Sequence, residues 1–245
     1  MNRKELVMQH RRLVKIACSA VNLLNAPRVR RKGSGNRIDA PCALLKKVRI
    51  RIHGSNNRVV IGDFSVLEGV SIDIRGDNNT VTIGGECRLV GTELWIEDSG
   101  NTIAIGDRTR ILGKTELAAI EGTRIAIGEN CLFSSGIHFR TGDSHSVLNL
   151  EGRRINASED IVIGSHVWVG RAVTCLKGAA VPDHSIVGAC ALVTGKFRQG
   201  NCVLAGVPAK MVKQGVDWSI SRVPVGEIAP DFPVKSECME GRESV

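Results

Sequence analysis

The sequence predicts an all-β solenoid, in which one short structural unit is stacked on itself along most of the chain. Four Ile-Gly pairs recur at a constant interval of 22 residues, with glycines at Gly62, Gly84, Gly106 and Gly128. Turn-forming residues precede them at the same interval: Asn57, Asn79, Asn101 and Thr123. A helical face returns every ~3.6 residues, whereas a fixed period of about 20–50 residues is typical of repeat architectures.

From residue 163 onward the period shortens to six residues. The positions of the series are Ile163, Val169, Cys175, Val181, Val187 and Val193. A second series follows four residues later: Val167, Val173, Ala179, Ser185, Ala191 and Phe197. Because side chains alternate between the two faces of a strand, three hexads predict one triangular coil of three short strands with inward aliphatic residues.

The 22-residue coils are predicted to be the same triangle with four extra residues at one corner. Segments 54–57, 76–79 and 98–101 are the candidates for these extra turns. They consist of Gly, Ser, Asn and Asp, which favour turns through left-handed backbone or local hydrogen bonds.

The composition fits a narrow core. Aromatic residues make up 3% of the chain, with no tyrosine. No two of the eight cysteines form a C-x-x-C pair, and their spacing is not that of a zinc site. Cys87 and Cys131 share a repeat position with Ser65 and Thr109, and Cys175 occupies an aliphatic position. These three cysteines are therefore predicted to be small buried residues.

Positive charge is concentrated at the beginning of the chain. Residues 1–60 contain 15 Lys/Arg and two Asp/Glu, whereas the remainder has a net charge of −5. Residues 1–32 are predicted to be a basic amphipathic helical segment, 33–213 the solenoid domain and 214–245 a tail. The helix either caps the exposed strands of the first coil or is attracted to an anionic membrane surface or saccharide. Without aromatic residues to stack on bases, nucleic-acid binding is not expected.

No apolar stretch approaches the roughly 18–20 residues that span a bilayer. The beginning of the sequence also lacks the uninterrupted apolar segment that a secretory signal requires, because charged residues are scattered through it. We therefore expect a cytoplasmic protein, with peripheral attachment to the inner face of the membrane as an option for the basic helix.

The repeat is interrupted between Phe139 and Ile163, so residues 140–160 are predicted to leave the solenoid as a loop. Such excursions from a rigid scaffold often carry function, and this one contains His145 within Gly-Asp-Ser-His-Ser. Three segments then follow in order: Ile-Gly-Ser-His-Val-Trp-Val-Gly (163–170), Val-Gly-Ala-Cys-Ala-Leu-Val-Thr (187–194) and Ala-Gly-Val-Pro-Ala-Lys (205–210).

The repeat over 54–213 resembles the hexapeptide-repeat acyltransferases, whose fold is a left-handed parallel β-helix. The loop and the segments after it are similar to the O-acetyltransferase branch, which modifies capsular, exopolysaccharide and smaller sugars. The resemblance implies that His145 is the general base for direct transfer of acetyl from acetyl-CoA to a sugar hydroxyl. Asp143 would orient His145 or shape the loop. Trp168 would point outward beside the acceptor, covered by a substrate or a neighbouring subunit.

The resemblance also implies a homotrimer, with coenzyme A bound along a groove between adjacent subunits. The positions that match its contacts are Arg171, Ala189, Thr194, Lys196, Lys210 and Lys213. The family often has Lys directly after the Thr, whereas Gly195 intervenes here, so Lys196 is a displaced candidate for a phosphate contact.

Three other functions stay open at the level of sequence: an N-acetyltransferase of an amino-sugar nucleotide, a non-catalytic β-helix interaction protein and a metal-dependent hydratase. His166 and His184 are one 18-residue coil apart and could form a metal ladder, as in the γ-carbonic anhydrases of the same fold. Those enzymes have two ligands five residues apart, whereas His138 and His145 are seven apart. We therefore predict no metal and leave the role of His138 open.

Overall fold

A computed structural model describes residues 11–25 and 27–230 of the chain. Segment 1–10 of the predicted basic helix and residues 231–245 of the predicted tail lie outside the described residues. The described part consists of one helix, α1 (Arg11–Asn25), followed by strands that form three long sheets.

Each coil up to β21 (Ile186–Val187) contributes one strand to each sheet, in the order A, B, C, and the last coil contributes β22 (Leu192–Val193) to sheet A and β23 (Cys202–Ala205) to sheet C. Sheet A contains β1 (Arg28–Lys32), β4 (Arg49–His53), β7 (Ser71–Arg75), β10 (Thr92–Glu97), β13 (Thr115–Ala119), β16 (Ile137–Arg140), β19 (Thr174–Leu176) and β22 (Leu192–Val193). Sheet B contains β2 (Arg37–Asp39), β5 (Arg58–Ile61), β8 (Thr80–Ile83), β11 (Thr102–Ile105), β14 (Arg124–Ile127), β17 (Ile161–Ile163) and β20 (Ala180–Val181).

Sheet C contains β3 (Leu44–Lys46), β6 (Val66–Glu68), β9 (Arg88–Val90), β12 (Arg110–Ile111), β15 (Leu132–Phe133), β18 (Trp168–Val169), β21 (Ile186–Val187), β23 (Cys202–Ala205) and β24 (Lys210–Gln214). Neighbouring strands pair in parallel, except that β24 turns back antiparallel to β23. The predicted all-β solenoid with triangular coils is confirmed.

The repeat positions point inward, as predicted. Every member of the first hexad series is at most 2% exposed. The two members in sheet A, Cys175 and Val193, pair in parallel register. The cysteines at repeat positions, Cys87, Cys131 and Cys175, are buried free thiols. Phe133 and Phe139 provide the largest buried side chains, with ring centroids 5.7 Å apart.

The extra residues of the 22-residue coils lie between sheets A and B. The inward residues Ile72 and Ile83 are 11 positions apart, whereas Cys175 and Val181, which occupy the same columns, are six apart. Part of the insertion lengthens the strands of sheet A, and the rest forms the predicted turns. We call this edge the A–B corner.

A ladder of buried side chains stabilises the A–B corner. Asn57, Asn79 and Asn101 are fully buried, and each accepts a hydrogen bond from the backbone N–H of the residue one coil further on, at 2.8–3.0 Å. The ladder ends at Thr123, whose hydroxyl donates to the carbonyl of Ile120 at 2.7 Å. Such satisfied buried amides fix the register of successive turns.

Helix α1 packs on the first strand of sheet C. The Asn22 amide donates to the carbonyl of Ala43 at 2.9 Å and accepts from the N–H of Leu45 at 2.8 Å. Groups on the exposed edge of β3 are thereby satisfied, as the capping interpretation expects. Within residues 11–25 and 27–230, the chain has no helix with the length and hydrophobicity needed to cross a bilayer.

The first coil begins earlier than expected. Residues 28–32 belong to the predicted helical segment 1–32, but they form β1 and pair in register with β4. Pro27 explains the difference, because proline and the residue before it are unfavourable in a continuing helix. At the other end, residues 216–220 of the predicted tail return to the solenoid, where Asp217 contacts His184 and Trp218 lies beside Trp168 of sheet C.

Candidate active site

The predicted loop leaves the solenoid at the A–B corner. β16 ends at Arg140 and β17 begins at Ile161, so the connection matches the predicted 140–160 excursion within one residue. It emerges from the same corner that carries the extra turns of the preceding coils. The loop therefore stacks on a continuous ridge of turns.

Glu121, in the turn beneath the loop, holds the second half of the loop in place. It accepts hydrogen bonds from the Arg154 guanidinium, at 2.5 and 3.0 Å, and from the Ser158 hydroxyl at 2.6 Å. Arg154, followed by Ser158, lowers the pKa of Glu121 from its ordinary value of 4.5 to about 2. The loop is thus anchored through an ionised carboxylate.

Asn156 connects the two halves of the loop. Its amide oxygen accepts from the N–H of Val147 at 2.8 Å, and its nitrogen donates to the carboxylate of Asp143 at 2.9 Å and to the carbonyl of His145 at 2.7 Å. Asn156 is only 7% exposed. It therefore fixes the backbone at His145, although it occupies no repeat position that would have singled it out in the sequence.

The His145 side chain is exposed at the surface of this ordered loop. Asp143 is hydrogen bonded to Asn156 and to Lys177 at 2.5 Å, and Lys177, followed by Asn156, lowers its pKa. No hydrogen bond joins Asp143 to the His145 ring within the described residues. Asp143 therefore contacts other residues of the loop and Lys177 rather than the imidazole, and its part in the reaction stays a prediction.

Trp168 lies in the middle of sheet C and points outward, as predicted. Its neighbours Val167 and Val169 are fully buried, whereas Trp168 is 42% exposed. Part of its surface faces Trp218 of the returning segment, with ring centroids 6.3 Å apart. Nothing in the sequence pattern indicated this contact, because residues after 214 follow no repeat.

A single chain does not bring His145 and Trp168 together. In a triangular coil the corner between sheets A and B lies opposite sheet C, so the loop and Trp168 lie on opposite sides of the solenoid. If both residues contact one acceptor, two copies of the chain must contribute to the site.

The candidate coenzyme A contacts also fall into separate groups. Arg171 and Ala189 lie in successive turns between sheets C and A, where the N–H of Cys190 donates to the carbonyl of Arg171 at 2.8 Å. Lys210 and Lys213 lie on β24, at the end of sheet C. The structure thus places the first two residues together on one corner and the two lysines on the adjoining sheet.

Thr194 and Lys196 follow β22 at the A–B corner instead. Lys196 forms a parallel bridge with Ala180, and its ammonium lies 3.7 Å from Glu159 at the end of the loop. These two residues are therefore on the side of the chain that carries His145.

His138 lies on the outer face of sheet A, just before the loop. Its ring is 3.5 Å from the carboxylate of Glu116, which also accepts a hydrogen bond from Arg140 at 2.9 Å. Within the described residues, His138 belongs to this surface cluster on sheet A.

No protein-family model matches the chain. It is 33% identical over 91 residues to a polysialic acid O-acetyltransferase of Neisseria meningitidis, covering 37% of this chain and 42% of that protein. A polysialic acid O-acetyltransferase of Escherichia coli O1:K1 / APEC matches at 33% identity over 91 residues, covering 37% of this chain and 29% of that protein. The aligned part thus spans less than half the length of these curated relatives.

Two solved structures match over most of their length. The polysialic acid O-acetyltransferase OatWY is 32% identical, with a TM-score of 0.77, and the match covers 81% of this chain and 93% of OatWY. The polysialic acid specific acetyltransferase NeuO is 31% identical, with a TM-score of 0.73, covering 81% of this chain and 90% of NeuO. The chain belongs to the hexapeptide-repeat acetyltransferases with a left-handed parallel β-helix, in the branch that contains the polysaccharide O-acetyltransferases.

Proposed function

We propose that the protein transfers an acetyl group from acetyl-CoA to a hydroxyl of a saccharide, with a capsular polysaccharide or related surface glycan as the acceptor. The observation that carries the proposal is the exposed imidazole of His145 on a loop that Asn156 and Glu121 hold in place. The polysialic acid acetyltransferases that resemble the chain support an anionic sialic acid polymer as the first acceptor to test.

The chemistry requires a base at the acceptor. A sugar hydroxyl becomes a competent nucleophile only as its proton leaves, and an imidazole with a pKa of about 6.5 can accept that proton near neutral pH. When bound, acetyl-CoA supplies the acetyl group as an activated thioester. His145 takes the hydroxyl proton as the acceptor oxygen bonds to the acetyl carbon, and then gives it to the departing thiolate, which leaves as the free thiol of coenzyme A. The transfer is direct, with no acyl-enzyme. Asp143 contributes by fixing the loop through Asn156 and Lys177.

The corner between sheets C and A offers a surface suited to coenzyme A. Ala189 and Gly206 are exposed in successive turns beside Arg171, so a pantetheine chain could approach the backbone closely. Lys210 and Lys213, on exposed positions of β24, would meet the phosphates. Thr194 and Lys196 lie at a different corner, and in this proposal they contact the coenzyme bound mainly to a neighbouring subunit.

We propose that the active site forms between subunits of a homotrimer. The supporting observation is the separation of the loop and sheet C on opposite sides of one chain. In a cyclic trimer each subunit presents its loop to the next one, so His145 of one copy would meet Trp168 of its neighbour around one acceptor.

The beginning of the solenoid supports peripheral attachment to an anionic membrane on the cytoplasmic side. Ile16, Leu23 and Leu24 of α1 are 66–87% exposed, on the face opposite Asn22. The adjoining strand β1 carries Arg and Lys side chains, which suit anionic lipid headgroups. Loss of sedimentation with anionic vesicles in a Leu23→Ser, Leu24→Ser variant would support this attachment, and unchanged sedimentation would contradict it.

The proposed activity is tested by incubating the full chain with acetyl-CoA and a panel of saccharides, with release of free coenzyme A as the readout. NMR of the product then locates the new acetyl group. His145→Gln should lower the turnover number by about 10²–10⁴-fold. The control is His53→Gln, which changes an exposed histidine of β4, four strands from β16 in sheet A. This substitution should leave the turnover number unchanged. Full transfer by His145→Gln would refute the base assignment, and acetylation of amino groups alone would refute O-transfer.

A further inference from the structure

Two histidines and an aspartate meet outside the loop, at the corner between sheets B and C. His166 and His184 occupy the same turn position in successive coils, with φ of 53° and 54°. The returning segment brings Asp217 between them. Its Oδ1 lies 3.3 Å from Nε2 of His166, and its Oδ2 lies 2.9 Å from Nδ1 of His184.

The turn itself does not require imidazoles. In the coils immediately before and after, the same left-handed position is occupied by Asn130 and Asn201, with φ of 56° and 53°. Asparagine tolerates this backbone and serves the turn without any long side chain. The function of His166 and His184 therefore lies in what their rings contact.

The arrangement has the composition of a metal site. One potential ligand atom from each of the three residues lies within 4.8 Å of the other two. A tetrahedral zinc ion at about 2.0–2.2 Å from its ligands places them about 3.4 Å apart, close to the separations between the carboxylate and each imidazole. The carbonyl of Trp218, 3.0 Å from Nε2 of His166, brings a further oxygen to the cluster.

Two oxygens of the cluster share one nitrogen. Nε2 of His166 can carry only one proton, yet both the Trp218 carbonyl and an Asp217 oxygen lie near it. An ion in the plane of the imidazole accepts the nitrogen lone pair and also attracts both oxygens. Two neutral imidazoles with one carboxylate are ligands that suit zinc and its first-row neighbours.

We infer that His166, His184 and Asp217 bind a divalent transition-metal ion, of which zinc is the one to test. This inference departs from the expectation of no metal, and it does not depend on the proposed acetyl transfer. Asp217 could not be predicted from the sequence, because the return of the tail to this corner follows no repeat.

The bound ion would fasten the returning segment to the solenoid. Trp218 stacks on His166 with ring centroids 4.5 Å apart, and its indole N–H donates to the carbonyl of His166 at 2.8 Å. Trp218 also lines an open groove of about 310 Å³, together with Arg108, Arg110 and Leu132. A bound ion would add to the contacts that hold this wall of the groove, next to Trp168.

The test uses the full chain with any purification tag removed. The protein is stripped with a chelator, reloaded with zinc and analysed for bound metal by mass spectrometry, and cobalt absorption reports the ligand field. His184→Gln and Asp217→Asn change ligands at nearly constant shape. His138→Gln is the matched control, because it changes another half-exposed histidine beside a carboxylate.

We expect about one zinc per chain in the parent protein and in His138→Gln. Each triad variant should bind zinc at least ~10-fold more weakly, since losing even a group that supports a metal ligand costs about 10–100-fold in affinity. Equal zinc affinity in all four proteins, or no zinc retained by the parent, would overturn the inference. Neither result bears on acetyl transfer, which is measured separately.

Discussion

The column of repeat glycines provides a sharp test of how the coils are packed. A β-carbon added to Gly106 would lie 2.6 Å from the N of Glu129 and from the carbonyl carbon of Gly128 in the next coil. These atoms are backbone and cannot rotate away. The φ of Gly106 is not in the left-handed region, so an alanine there would be opposed by packing alone.

The magnitude follows from the distances. Ordinary van der Waals contact begins at 3.4 Å, so the two coils must separate by about 0.8 Å to admit the methyl group. That movement would stretch the hydrogen bond from Gly106 to Ile127, now 2.8 Å, to about 3.6 Å, beyond the usual range. Overpacking costs about 1–3 kcal/mol and the hydrogen bond about 1 kcal/mol, so Gly106→Ala should lower the free energy of unfolding by about 2–4 kcal/mol.

The assay is urea unfolding followed by circular dichroism, with all proteins at one concentration. The matched control is Gly195→Ala, because a β-carbon at Gly195 meets no atom within 4 Å. Its stability should stay within about 0.5 kcal/mol of the parent. If Gly106→Ala and Gly195→Ala unfold at the same urea concentration, the explanation that close stacking of the coils requires glycine at position 106 is refuted.

Three further outcomes are expected. Asn79→Ala should lower the free energy of unfolding by about 2–4 kcal/mol, because it leaves the buried Asn101 N–H without its acceptor and removes the donor to the Asp98 carbonyl; urea unfolding measures this, and a change below about 0.5 kcal/mol would contradict it. Because the pKa of Glu121 is lowered to about 2, the stabilisation that its carboxylate gives the loop is fully present above pH 4.5 and is lost as the pH falls towards 2. Pepsin should therefore cut the loop faster at the lower end of that pH range, and Glu121→Gln should remove the difference. Burial raises the pKa of the Cys131 thiol to about 11 and also raises the pKa of Cys175. A thiol reagent at neutral pH should therefore label the exposed Cys190 and react with Cys131 and Cys175 only on unfolding. Rapid labelling of Cys175 in the folded protein would contradict this prediction.

The scaffold could be predicted from the sequence because its physics is local and repeated. An inward aliphatic residue every six positions forces the same strand and turn again, so Val169, Val187 and their equivalents are buried as expected. The loop was visible for the same reason, as the place where that constraint stops between Phe139 and Ile163.

The details of the site could not be predicted in this way. Asn156 and Lys177 act through single contacts to Asp143, and nothing in their spacing distinguishes them from ordinary surface residues. The contact of Asp217 with His166 depends on the path of a segment without a repeat. The start of the first coil was misplaced because the charges of residues 28–32 suggested a continuing basic segment, whereas the backbone pairs as a strand.

The proposed acetyltransferase active site needs His145 from one copy of the chain and Trp168 from another. Subunit complementation can establish whether the two copies share a site. The His145→Gln and Trp168→Ala variants, each expected to lose acetyl transfer, are co-expressed with different tags, and the mixed assemblies are purified. In a cyclic trimer that contains both variants, about one of the three sites combines an intact His145 with an intact Trp168. Recovery of about a third of the parent activity is predicted, whereas mixed assemblies as inactive as the two variants would contradict a shared site.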